Sequence, residues 1–379
     1  MLQEAEIRQL VNLRHQLHQN PELSGQEKHT SQIIKVFLEQ YDPDEIIENV
    51  GGHGIMAVYD SKKPGPVICF RCDLDALPIE EKNDFEYKSK YPGVAHQCGH
   101  DGHMSIVSGL AILFHKNKPE KGKIILLYQP AEETGEGATK VIEDEKFKQL
   151  KPDYIIGLHN LPGFTESAIV IRNGVFAAAS KGMVIKLKGA TSHAAEPENG
   201  RSPALAMAEI IKNIQTLPEN QKYQSFVLAT VVHAQLGEIA FGTTPGYAEV
   251  RVTLRSYTDA DIDKITDDAE KIVIKSCESY QLDYEISYTE IFPATESSNE
   301  LLQLLREIVI QNKLKMIDKD QPFRWSEDFG HYKKLAPSLF FGLGASEVPN
   351  LHNFDYDFPD SIISSGINIF YPLASSLLK

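Results

Sequence analysis

Short apolar runs of strand length alternate with longer amphipathic stretches along most of this 379-residue chain. That alternation limits the possible folds more than any other feature. The apolar runs fall at 66–70, 123–128, 154–158 and 338–343, each rich in β-forming residues. Helical patterns lie between them, at 103–115 and 301–314 among others. Another opens the chain through Leu2, Ile7, Leu10, Leu13 and Leu17 and stops before Asn20-Pro21. Strands alternating with helices predict an α/β domain whose mostly parallel sheet is covered by helices.

Residues 179–291 interrupt the pattern. Strand-like runs at 182–188, 225–234, 248–256 and 284–288 are joined by two helix patterns. These cover 202–217, with Pro203 in the first turn, and 260–279. Strand–helix–strand–strand–helix–strand order suits a small α+β sandwich. Because βα alternation resumes afterwards, the sandwich reads as an insertion. One domain is predicted from 1–178 and 292–379, and a second from 179–291, in keeping with about 100–200 residues per domain.

Lys and Arg total 38 against 53 Asp and Glu, a formal charge of −15. A surface this acidic repels phosphate backbones and anionic headgroups, so neither nucleic acid nor a membrane surface is an expected partner. No segment approaches the roughly 18 apolar residues of a membrane span. The first 19 residues carry Glu4, Glu6, Arg8, Arg14 and His15 where a signal peptide needs a continuous apolar stretch. Four scattered cysteines (Cys69, Cys72, Cys98 and Cys277) do not make a disulfide framework. The expected location is the cytoplasm.

The polar residues carry the functional signal through their position. Asp73 and Asp75 follow the first apolar run, Glu132 and Glu133 the second, and His159 the third. His352 follows the fourth across a Gly/Pro loop. Cys98-Gly99-His100-Asp101 directly precedes the apolar helix pattern at 104–114. In open α/β sheets ligands bind at the carboxyl ends of strands, so these residues are predicted to converge on one crevice. Singly, a strand-end histidine is more often structural, and a Glu-Glu pair is more often a solvated loop. Their joint placement is what points to chemistry. Cys98, His100, His159, His352 and one of the two glutamates form a donor set of borderline softness, suited to Mn, Zn, Ni or Co. Five ligands with spare carboxylates imply two ions sharing a water. Glu132 and Glu133 are adjacent and point apart in an extended loop, so one can bind metal while the other takes a proton. Cys69, Cys72, Cys277, His53, His96, His103 and His233 read as structural.

At these residues the chain resembles the M20 metallopeptidase family. It is most similar to the amidohydrolase branch of hippurate hydrolases, N-acetyl-amino-acid deacetylases and plant auxin-conjugate hydrolases. The similar stretches are LHQNPELSGQE (17–27), RCDLDALPIEE (71–81), HQCGHDGHM (96–104) and QPAEETGEGA (129–138). They continue with GLHN (157–160), KGATSHAAEP (188–197), SEDFG (326–330) and LHN (351–353). The resemblance implies a catalytic domain of aminopeptidase type with an inserted lid that commonly also makes a homodimer. It implies Cys98, His100, Glu133, His159 and His352 as metal ligands, Glu132 as general base and Asp75 as the aspartate that orients the metal site. It further implies that His193 binds the substrate carbonyl, in related enzymes from the partner subunit, and that Arg255 binds a substrate carboxylate. The chain departs from the branch in having HAAEPEN (193–199) where HAAMPH is common, and RCDLDALP where RADMDALP is common. Neither departure touches an expected ligand.

The expected function is therefore a dinuclear-metal amidohydrolase acting on N-acyl amino acids, with a dipeptidase of the same family as the neighbouring alternative. Two rivals differ in class. A cysteine hydrolase using Cys98 and His100 would leave Glu132, Glu133, His159 and His352 idle. A metal-binding module without turnover would have no use for an unligated carboxylate beside the metals.

Overall fold

A computed structural model of the chain describes residues 2–219 and 222–379, which form two compact units. One unit comprises Met1–Phe176, Thr295–Gln321 and Asp328–Lys379; the other comprises Ala177–Ala294 and Pro322–Glu327.

The first unit is built on an eight-stranded sheet. In chain order its strands are β1 (Glu45–Val50), β2 (Gly54–Asp60), β3 (Val67–Asp73), β4 (Lys123–Gln129), β5 (Tyr154–Leu161), β6 (Ile169–Ile171), β7 (Met316–Asp318) and β8 (Ser338–Gly344). They lie side by side as β1-β2-β4-β3-β5-β8-β6-β7. The central four, β4, β3, β5 and β8, run parallel to one another. β1 and β2 close one side antiparallel, and β6 pairs antiparallel with β8 at the other. The central strands are buried almost end to end. Strands covered on both faces carry near-continuous apolar runs, as these four do in the sequence; β2, equally buried over 55–59, is an addition to that reading. The short outer strands β6 and β7 and the partly exposed β1 offered no such run.

The helix His100–Lys116 is buried from His100 through Phe114, so it has no solvent face. It packs on β3 and against the helices Glu4–His18 and Ile363–Leu377. Leu10, Leu17, Ile106, Leu110, Ile367 and Phe370 belong to one continuous core with Phe70, Leu126 and Ile156 of the sheet. At about 25 cal/mol per Å² of apolar surface removed from water, this core supplies most of the drive that holds the helix's first turn against the strand ends.

In the second unit the strands Ala179–Lys188, Val227–Leu236, Tyr247–Ser256 and Asp283–Phe292 form an antiparallel sheet. Their spatial order is 227–236, 247–256, 179–188, 283–292. The helices Ala204–Gln215 and Asp259–Ser279 bury Ile210, Ile214, Ile262, Ile265 and Val273. The order of elements is the one expected, with Pro203 at the helix cap rather than inside its first turn. Compared with the expected 179–291, this unit extends by a few residues at both ends. It also takes in Pro322–Glu327, because the Ala178 amide donates to the carbonyls of Phe323 and Trp325, both at 3.0 Å. No described helix is long and apolar enough to cross a membrane.

Candidate functional site

β3, β4 and β5 end on the same side of the parallel sheet, and the polar residues follow from those ends. Asp73 is the last residue of β3, and Asp75 lies two residues beyond. His159 does not follow its strand, as the sequence suggested, but sits within it. Pairing with β8 continues through His159 and Gly342 as far as Leu161. Cys98 and His100 are held by the start of the buried helix. Gly99 between them has φ +86°, and a Cβ there would approach Asn160 Oδ1 to 2.7 Å, so the turn needs glycine.

The structure brings the expected donors together. Donor atoms of Cys98, His100 and His159 lie within 4.8 Å of one another. So do those of Cys98, Glu133 and His352, and those of His100, Glu132 and Glu133. Cys98 Sγ is 3.4 Å from His159 Nε2. Glu133 spans two imidazoles: Oε1 is 3.8 Å from His100 Nε2 and Oε2 is 3.8 Å from His352 Nε2. His352 stands in a loop at φ +65°, its amide donating to the Gln97 carbonyl at 2.8 Å. Its side chain is 53% exposed, unlike the other members.

Hydrogen bonds behind the donors fix which atoms face inward. His100 Nδ1 donates to the Asp75 carbonyl at 2.8 Å, leaving Nε2 buried without a hydrogen bond. His159 Nδ1 donates to the Asn160 carbonyl at 2.8 Å, leaving Nε2 toward Cys98. Engaging one nitrogen to present the other is how a protein orients an imidazole ligand. His103 is different. Nδ1 contacts Asp73 Oδ2 at 3.2 Å and Nε2 contacts Asn160 Oδ1 at 2.5 Å, so both nitrogens are used. It is therefore a prop for the site and not a donor, although Asp73, His100 and His103 also cluster.

The electrostatics agree with a cation at this place. Burial opposes charge on His100, but Asp73, Asp75 and Glu133 outweigh it and hold its pKa well above the ordinary value. For His159, burial and the neighbouring His103 and His100 hold the ring neutral, the form that binds metal. Thiol, imidazole and carboxylate donors around an orphaned buried Nε2 fit divalent transition-metal ions.

Glu132 and Glu133 make different contacts, although they stand in a hydrogen-bonded turn, closed by the Gly135 amide to the Glu132 carbonyl at 2.8 Å, and not in the extended loop the sequence suggested. Glu132 is buried, and its Oε1 accepts the Asp328 amide at 3.3 Å. Asp328 is held in turn: Oδ1 accepts from Arg71 at 2.5 Å, and Oδ2 accepts from Gln129 Nε2 at 2.7 Å and the Ala138 amide at 2.8 Å. Arg71 also pairs with Asp73 and donates to Gln129 Oε1 at 2.9 Å. This buried Arg71–Asp328–Gln129 network went unread in the sequence, since its members are some 257 positions apart. A charged residue inside a β-run, Arg71, was the one available signal. Asp75 Oδ2 accepts both the Ser24 hydroxyl at 2.7 Å and the Glu133 amide at 3.0 Å.

His193 and Arg255 lie in the other unit. His193 is exposed, pairs with Thr243 in a two-residue strand, and accepts the Ala195 amide on Nδ1 at 3.1 Å. Arg255 is half-buried and donates to the Arg324 carbonyl and to Ser326 Oγ, both at 3.0 Å.

Known proteins share this organisation. Residues 69–376 match Peptidase family M20/M25/M40. The N-acetyl-L-cysteine deacetylase of Bacillus subtilis strain 168 is 31% identical over 378 residues, covering 98% of this chain and 88% of that protein. The crystal structure of the Bacillus subtilis YXEP protein, a dinuclear metal binding peptidase from the M20 family, superposes with a TM-score of 0.83. It is 26% identical, with 99% of each chain covered. The aminobenzoyl-glutamate utilization protein of Klebsiella pneumoniae shares the fold at 18% identity, with a TM-score of 0.75 over 97% of this chain and 96% of that one. With its donor cluster and a match spanning most of its length, the chain belongs to the M20/M25/M40 peptidase family and is a metal-dependent amidohydrolase.

Proposed function

We propose that this enzyme hydrolyses the amide bond of N-acyl amino acids, with Glu132 as general base. The observation that carries the reading is the division of labour between neighbours. Glu133 faces His100 and His352, while Glu132 is buried beside them and held from behind by the Asp328 amide. Cys98, His100, Glu133, His159 and His352 would hold two divalent transition-metal ions, Mn, Zn, Ni or Co. Bound there, such ions supply Lewis acidity and lower the pKa of water. Glu132 takes the proton from the attacking water and passes it to the leaving amine. Asp75 orients the ligands by accepting the Glu133 amide and, through its carbonyl, the His100 Nδ1 proton. His193 is proposed to polarise the substrate carbonyl, and Arg255 to pair with the free carboxylate of the amino-acid half.

The relative named as an N-acetyl-L-cysteine deacetylase supports an N-acyl amino acid over a dipeptide as substrate. Buried free thiols at Cys69, Cys72 and Cys277 suit the cytoplasm. A homodimer through the inserted unit is supported by the edge strand Val227–Leu236, where Val232 is 60% exposed, and by the fully exposed Ile239 and Phe241 that follow it. An open edge beside exposed apolar side chains favours pairing with another copy. Sedimentation of the purified enzyme tests this directly.

The decisive experiment pairs Glu132→Gln with Glu133→Gln. The first is expected to keep its metal and lose at least about 10²-fold in turnover, and the second to lose metal. Equal metal loss in both would overturn the assignment. A substrate panel of N-acetyl and N-aroyl amino acids against dipeptides then names the class.

A further inference from the structure

The stretch LHQNPELSGQE (17–27) has no role in the chemistry above, yet its end reaches the turn that carries Glu132. Glu27 is wholly buried, and its Oε1 accepts the Ala131 amide at 2.8 Å and the Gly25 amide at 2.8 Å. Ala131 has φ +53°, a left-handed conformation that an L-residue with a Cβ adopts only when its surroundings require it. It immediately precedes Glu132. On the other side of Glu132, the Glu133 amide is taken by Asp75, which Ser24 of the same stretch holds through its hydroxyl at 2.7 Å. The stretch is anchored to the Asp75 segment by the Ala76 amide, which donates to the Glu22 carbonyl at 2.8 Å. Both backbone amides flanking Glu132 are therefore fixed by buried carboxylates, one belonging to this stretch and the other braced by it. The far end of the turn is closed by a glycine. Gly137 donates to the Ala131 carbonyl at 3.0 Å, and a Cβ on it would lie 1.7 Å from the Pro130 carbonyl oxygen.

We propose that Glu27 is a positioning residue, holding the Ala131 amide in its left-handed turn and so aiming the Glu132 carboxylate. This rests on Glu132 being the general base. A carboxylate is suited to the task because a single oxygen serves the Gly25 and Ala131 amides together, tying the loop before the helix Lys28–Leu38 to the turn after β4. A displacement of the order of 1 Å at a reacting group costs about 10²-fold in rate.

Glu27→Met keeps the side-chain volume and removes the acceptor, whereas Glu27→Gln keeps a carbonyl oxygen that can take both amides. The Met variant is expected to lose about 10²-fold in kcat with KM, bound metal by elemental analysis and urea midpoint close to wild type. The Gln variant should stay within about threefold of wild type. Combined with Glu132→Gln, the Met change should have no further effect, since what it misaims is already gone. Wild-type kcat in the Met variant overturns the proposal. So does a loss of metal that parallels the loss of activity, which would make Glu27 a prop for Glu133. Should the Met variant fail to fold, Glu27→Asp asks the same question by withdrawing the acceptor one methylene. There a roughly tenfold fall in kcat is expected, and an unchanged kcat counts against the clamp. Glu132→Gln alone separates the two ideas. If it keeps its turnover, the general base has been misidentified. If it is slow while Glu27→Met is fast, only the clamp is wrong.

Discussion

The two units hold their candidate site residues in opposite ways. In the first, Asp73, Asp75, Glu132, His100 and His159 are buried; the first four are braced by a hydrogen bond or ion pair from a different segment of chain, and His159 by the carbonyl of its neighbour Asn160. In the second, His193 is exposed on a two-residue strand, and Arg255 is only half-buried. Buried charges must be paired to exist at all, so the first arrangement couples site geometry to folding stability. An exposed histidine costs nothing to remove structurally, so whatever it contributes should appear in rate alone.

That contrast can be broken or sharpened by experiment. The largest effect is expected from metal removal. Exhaustive chelation should abolish turnover, and Mn, Co, Ni or Zn should restore it. Full activity in protein shown metal-free by elemental analysis would end the mechanism. Next in size is Asp328→Ala, which takes one of two paired carboxylates from the buried Arg71 and the acceptor from the Ala138 amide, and should cost about 3–5 kcal/mol in urea unfolding, as breaking a buried ion pair does. A stability change under 1 kcal/mol would mean the network is not tightly coupled to the fold. His193→Ala should leave the unfolding midpoint and metal content unchanged while lowering kcat by roughly 10²–10³-fold, the scale of a lost oxyanion donor. Partial recovery on mixing it with Glu132→Gln protein would show that the histidine acts across a dimer.

The smallest effect concerns pH. His18 is buried; burial disfavours its charge, but hydrogen bonds to Asp101 at 2.9 Å and Glu81 at 3.1 Å prevail and raise its pKa to about 9. Its contribution to stability is full below its ordinary value near 6.5 and fades as pH rises through 9. Urea midpoints should therefore decline between those limits, and less steeply in His18→Gln. The same slope in both proteins would assign the decline to other groups.

How much was readable in the sequence depended on how local the cause was. Buried parallel strands need continuous apolar runs and helices need a 3.6-residue period, so β3, β4, β5, β8 and the helix after Cys98 were all legible. Each leads to or carries an expected site residue, and the donor atoms of Cys98, His100, Glu132, Glu133, His159 and His352 fall into overlapping clusters. β1, β6 and β7 are hard to read because a short or half-exposed strand takes its pairing from a neighbour and leaves little local pattern, whereas β2 is missing from the sequence reading although its run at 55–59 is buried and apolar.

What tertiary structure alone decided is the bracing. Nothing in PELSGQE announces that Glu27 will meet Ala131 across 104 positions, or that Ser24 will meet Asp75. His103 reads as structural from the sequence, and Asp73 and Asn160 occupy both of its nitrogens. Residue types and spacing determined which atoms could bind a metal or move a proton. Which of them are placed to do so is set by hydrogen bonds that mostly come from distant segments, because an imidazole or carboxylate can serve only the partner its open atom faces.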